Sequence, residues 1–94
     1  VRFKINRSDF IIKFTEESFD LYEIKTVKDK DSPRFGEEIE VNIGYFGSLI
    51  GLYQKLVKIG LARTYIQSFQ DVLNVIQKIE GILDGLLLPS KGSA

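Results

Sequence analysis

Asp29, Asp31 and Glu40 come closest to a chemical motif, standing at the first, third and twelfth positions of a calcium-loop spacing. Such a loop also needs an oxygen ligand at its fifth position and glycine at its sixth. Pro33 and Arg34 stand there, so the segment reads as a solvated charged loop and no metal site is expected. Gly44, Gly47 and Gly51 suggest a phosphate cradle. Their spacing fits neither G-x-G-x-x-G nor a Walker A motif, and no Lys-Ser/Thr pair follows, so they read as a strand-to-helix turn. Glu16-Glu17 and Glu37-Glu38 pair carboxylates in sequence, but neighbours on a strand point to opposite faces and form no acid–base couple. The 94 residues include no histidine and no cysteine. Serine therefore has no imidazole base, thiolates and disulfides are excluded, and the commonest metal ligand is missing. No Ser-x-x-Lys motif offers a substitute base. A non-enzyme is expected, with no catalytic residues, no metal and no cofactor.

The elements around these residues follow from length and pattern. Ninety-four residues make one small domain, expected over residues 1–90 and held by its apolar core. Lys91-Gly92-Ser93-Ala94 has the small-residue character of an appended tail, and the absence of methionine sets Val1 apart from a translated start. The N-terminus alternates instead of forming an apolar leader, and no stretch nears the ~20 apolar residues of a membrane span. An intracellular setting is expected, with no membrane partner.

Phe3 and Ile5 alternate with Arg2, Lys4 and Asn6 as a short first strand, and Asn6-Arg7-Ser8-Asp9 supplies turn residues. Phe10, Ile12 and Phe14 give a second strand with one apolar face, and Phe19 to Lys28 a third, rich in aromatic and β-branched residues. Residues 29–36 read as a flexible loop broken by Pro33. Ile39, Val41, Ile43 and Tyr45 form the inner face of a fourth strand. After Gly47 the period changes. Leu49, Leu52, Tyr53, Leu56 and Val57 make a helical stripe that Gly60 is expected to end. Ser68 and Asp71 form a capping-box-like start for a second helix. Its stripe runs Phe69, Val72, Leu73, Ile76, Ile79, Leu83 and Leu86, and Pro89 is expected to close it.

Strands followed by helices predict an α+β domain, ββββαα, with a four-stranded antiparallel sheet and both helices packed on one face. The expected core joins Phe10, Ile12, Phe14, Phe19, Leu21, Ile39, Val41 and Ile43 to Leu52, Leu56, Val72, Leu73, Ile76 and Ile79. Gly47-x-x-x-Gly51 and Gly81-x-x-x-Gly85 suggest close backbone approach between helices.

Covering one sheet face leaves the other open. Facing Phe10 and Ile12 inward turns Ile11 and Lys13 outward, and facing Leu21 inward turns Asp20, Tyr22 and Ile24 outward. Ile11, Tyr22 and Ile24 then form a candidate partner-binding patch. Charge offers an alternative. Thirteen basic and thirteen acidic residues cancel overall. Locally, Arg2, Lys4, Arg7 and Lys13 cluster near the N-terminus, and Lys55, Lys58 and Arg63 lie in a stretch from Val41 to Gln70 without any acid. Either group could contact phosphates, although three or four such contacts bind weakly at physiological salt.

With the residues laid out, the chain resembles a family of small uncharacterised proteins of phages and prophages. The resemblance rests on the strand pair Phe10–Thr15 and Phe19–Thr26, on Gly36-Glu37-Glu38, and above all on Ile43-Gly44-Tyr45-Phe46-Gly47-Ser48-Leu49. The last helix, from Ser68-Phe69-Gln70-Asp71 through Ile79-Glu80-Gly81-Ile82, matches as well. Family members carry Glu-x-Ala-Leu after that leucine, where this chain has Ile50-Gly51-Leu52. The resemblance implies a phage accessory protein acting in the host cytoplasm. Taken with the missing catalytic groups and the apolar patch of Ile11, Tyr22 and Ile24, it leads to the expectation of a protein acting by protein–protein interaction, on a host defence protein or another host or phage protein, or as a homodimer. The resemblance supplies no catalytic residues. The alternative expectation is a nucleic-acid-binding accessory protein of a phage replication module.

Overall fold

The computed structural model describes residues 1–87, so Pro89 and the tail at 91–94 lie outside the described residues. Its elements are β1 (Arg2–Ile5), β2 (Ser8–Phe14), β3 (Phe19–Thr26), β4 (Glu38–Phe46), α1 (Leu49–Arg63) and α2 (Phe69–Leu87). The strands form one antiparallel sheet in the order β1-β2-β3-β4, and two helices follow, which is the expected α+β arrangement. The sheet lies in a unit spanning Val1–Leu49, and the helices belong to a second unit from Ile50 onward.

Short polar connections set the sheet. Asn6 and Arg7 alone turn β1 into β2, and Asn6 takes a left-handed φ of 57°, which asparagine tolerates better than most residues. Ser8 and Asp9, expected in the turn, instead pair with Ile5 and Lys4. Between β2 and β3 the Thr15 hydroxyl accepts from the backbone N–H groups of Glu17 and Ser18, while Thr15 N–H donates to the Ser18 carbonyl. The segment between β3 and β4, expected as a flexible loop, folds as successive hydrogen-bonded turns. Asp29 accepts from the Asp31 N–H, Ser32 N–H donates back to the Asp29 carbonyl, and Val27 and Glu37 extend the ladder past Thr26 and Glu38. Gly36 follows with φ +85°, a conformation that needs no Cβ.

Residues directly opposite on antiparallel strands share a face, so the register sorts the sheet into two. One face carries Phe3↔Phe10↔Glu23↔Val41, Ile12↔Leu21↔Gly44 and Phe14↔Phe19↔Phe46. Ile5, Phe10, Ile12 and Leu21 are buried there, and the Phe3 and Phe10 rings stack at 5.8 Å. This is the inner face. Phe14, expected in the core, belongs to it by register yet is 50% exposed, because its row lies at the end of the sheet. Its ring meets Phe19 edge-on at 5.7 Å.

A bulge overturns the expected facing of Tyr45. Leu21 pairs with Gly44 but Tyr22 pairs with Asn42, which leaves Ile43 as an extra residue on β4. Beyond it Gly44 and Phe46 turn inward, while Tyr45 pairs with Asp20 on the outer face and is 67% exposed. Gly44 therefore belongs to a strand and not to the strand-to-helix turn. Its missing side chain makes room for the Phe46 ring, which would lie 2.9 Å from an added Cβ.

Both helices keep their predicted type and shift in detail. Gly60 is buried inside α1 instead of ending it, since one interior glycine costs only about 1 kcal/mol and Leu61, Ala62 and Arg63 can continue the turn. The buried stripe of α2 runs through Val75, Ile79 and Leu83, while Val72, Leu73 and Ile76 are half-buried and Phe69 is 75% exposed. The capping box forms. Asp71 Oδ2 accepts from the Ser68 and Gln67 N–H groups, and the Asp71 N–H donates to Ser68 Oγ. The expected close approach at the glycines does not hold for Gly47, Gly81 and Gly85, where an added Cβ would meet nothing within 4 Å.

Candidate interaction face

The outer face of the sheet gathers Ile11, Tyr22 and Ile24. Ile11 stands directly opposite Tyr22, and Ile24 opposite Asp9 in the next row. All three are half-buried, and long cations account for part of that cover. Lys13 Nζ lies 4.8 Å above the centre of the Tyr22 ring and continues to Glu40 Oε1 on β4 at 2.6 Å. Arg2 starts on β1 and reaches both Asp9 on β2, at 3.3 Å, and Glu38 on β4, at 3.2 Å. Ion pairs therefore tie the first edge strand to the last across the whole sheet. Donation to Glu38, and then to Asp9, raises the pKa of the Arg2 guanidinium above its ordinary value, and donation to Glu40 raises that of the Lys13 ammonium. These charged heads remain about half-exposed, so their contribution to stability is small and screened by salt.

Sequence reasoning missed one member of this face and the burial of another. Tyr45 joins it through the bulge, and the available signal was Gly44 inside a strand pattern. Asp20, expected outward, does face outward but is buried, with the Ser18 hydroxyl donating to its Oδ1 at 2.5 Å. Glu23 is buried on the inner face. Among the described residues no buried side-chain nitrogen or oxygen lacks a hydrogen-bond partner.

The candidate phosphate-binding cations separate into two groups. Arg2, Lys4, Arg7 and Lys13 lie in the sheet unit, with Arg2 and Lys13 engaged by carboxylates as described, Lys4 on the outer face and Arg7 in the first turn. Lys55, Lys58 and Arg63 lie on α1. Lys55 and Lys58 flank a shallow groove with Gly51, Gln54 and Leu61. A second concavity, beside the first turn, is bordered by Arg7, Lys25 and Lys28 but equally by Asp9, Glu23 and Glu38, so it selects neither sign of charge.

Among the described residues no group of three or more acidic side chains is gathered as a bound metal ion would require, and no helix is long and apolar enough to cross a membrane. Comparison with protein-family models, with curated proteins and with solved structures finds no match to this chain.

Proposed function

We propose that this chain acts by binding another protein through the outer face of its sheet, without catalysis. The supporting observation is the position of Tyr45, 67% exposed and one row from Tyr22 on the face that also carries Ile11 and Ile24. Tyrosine and arginine beside aliphatic residues are the composition of interface hot spots, and Arg2 and Lys13 frame this strip. In the phage setting that the sequence resemblance suggests, the partner is a host or phage protein met in the host cytoplasm. The test is affinity capture with the wild-type chain and with Tyr45→Glu. A charge at so exposed a position should change stability by no more than ~0.5 kcal/mol. It should remove the captured partner, because an unpaired carboxylate would be buried in the contact. Equal capture by both chains would sink the reading.

A second reading, nucleic-acid binding, draws on Lys55 and Lys58, which line one groove in a stretch without acidic residues. The N-terminal cations support it less, since Arg2 and Lys13 already hold carboxylates. It predicts oligonucleotide affinity that falls steeply with salt, measured by fluorescence anisotropy. Absence of binding at low salt removes it.

A further inference from the structure

The outer face carries opposite charge at its two edges. Arg2 and Lys4 lie on β1 and Lys13 on neighbouring β2, whereas Glu38 and Glu40 lie on β4. Ile11, Tyr22 and Ile24 run between them. We propose that this face binds a second copy of the chain, sheet against sheet, about a two-fold axis parallel to the strands. The inference rests on the reading of this face as a binding surface and names its occupant.

The choice of axis follows from the charge pattern. Turning one sheet over about a line along its strands lays β1 of one copy over β4 of the other, and β2 over β3, with the residue rows in step. A two-fold axis across the strands would instead lay β1 on β1 and β4 on β4, opposing like charges. Along the row Lys4↔Asp9↔Ile24↔Glu40, the parallel axis brings Lys4 to Glu40 of the second copy. Along the row Arg2↔Ile11↔Tyr22↔Asn42 it brings Ile11 to Tyr22 of the second copy. Symmetry makes each contact twice. Lys4 forms no ion pair in its own chain among the described residues. Asp9 would meet Ile24, the one apolar mismatch, and its charge is already held by Arg2.

Strands of four, seven, eight and nine residues, rising ~3.3 Å per residue and ~4.8 Å apart, present about 440 Å² of sheet, so a face-to-face pair buries roughly 900 Å², at the small end of the range for protein interfaces and in keeping with a concentration-dependent dimer.

Sedimentation equilibrium of the full chain at low salt tests the arrangement, with circular dichroism confirming that each variant folds. The wild type should show a concentration-dependent monomer–dimer equilibrium. Lys4→Glu and Glu40→Lys should each weaken association at least about tenfold, and an equimolar mixture of the two should restore it, because every new carboxylate then faces a new ammonium. Glu40 also holds Lys13 within its own chain, a loss that mixing cannot repair, so recovery in the mixture marks the contact as intermolecular. If Glu40→Lys fails to fold beside Lys13, Glu40→Gln serves in its place and should weaken association while reducing its dependence on salt. A wild-type chain that stays monomeric to about millimolar concentration overturns the second-copy proposal, and leaves the binding face to be judged by Tyr45→Glu in the capture experiment. A dimer indifferent to Lys4→Glu, Glu40→Lys and Tyr45→Glu overturns both. Sensitivity to the single changes without recovery on mixing overturns the proposed axis.

Discussion

Leu21 exposes none of its surface and stands between Ile12 and Gly44 across the middle of the sheet. Leu21→Ala would leave a cavity in that row and should lower unfolding free energy by about 2–5 kcal/mol in chemical denaturation. On α2, Ile79 is fully buried whereas Ile76 is half-buried, so Ile79→Ala should cost clearly more than Ile76→Ala. Equal losses would mean that the helix face is rotated from the one described. Gly44 depends on a different cause. A methyl group there would press on the Phe46 ring, and Gly44→Ala should destabilise by roughly 1–3 kcal/mol. Part of that loss should vanish when Phe46→Leu is added, a coupling that a double-mutant cycle in urea would measure.

Elements bring in local rules that single residues do not show. The bulge at Ile43 turns β4 by one position, so Tyr45 and Phe46 exchange the faces that simple alternation assigns them. It also bends an edge strand, and with Glu38 and Glu40 it discourages further strand pairing along that edge. The exposed glycines of α2 have the opposite character. A Cβ at Gly81 meets nothing, so Gly81→Ala should stabilise the chain by up to about 1 kcal/mol by raising helix propensity and restricting the unfolded state. A lower melting temperature in this variant would show that the position does need glycine. At the start of the same helix, Ser68→Ala removes the acceptor for the Asp71 N–H and should cost ~1 kcal/mol in thermal unfolding.

For the whole molecule, the lattice over the outer face has a defined pH signature. Glu40 holds the Lys13 ammonium above its ordinary value of 10.5. A cation raised by folding contributes stability fully below its unfolded pKa and loses it as pH rises through the folded value. The stability difference between wild type and Lys13→Met should therefore stay constant through neutral pH and close only under strongly alkaline conditions, as followed by thermal unfolding. A difference that closed near pH 7 would rule out the Lys13–Glu40 pair as its source. Added salt should shrink the same difference, because both charged heads are about half-exposed.

The sequence by itself determined the element types, their order and the sharing of one sheet face by Ile11, Tyr22 and Ile24, opposite the face of Phe10, Ile12 and Leu21. Each of these depends on local periodicity, two residues for a strand and 3.6 for a helix, and periodicity is a property of the chain alone. Ser68 and Asp71 were legible for the same reason, since a capping box closes within four residues. Three matters were decided only by the tertiary structure. The bulge arises because β4 must pair with β3, and no local rule shows which strand position carries an extra residue. The buried line of α2 is narrower than its apolar stripe, and residues around much of that helix are apolar enough to have served. The ion pairs from Arg2 to Glu38 and from Lys13 to Glu40 join residues 36 and 27 positions apart, and only the folded sheet brings those charges within reach.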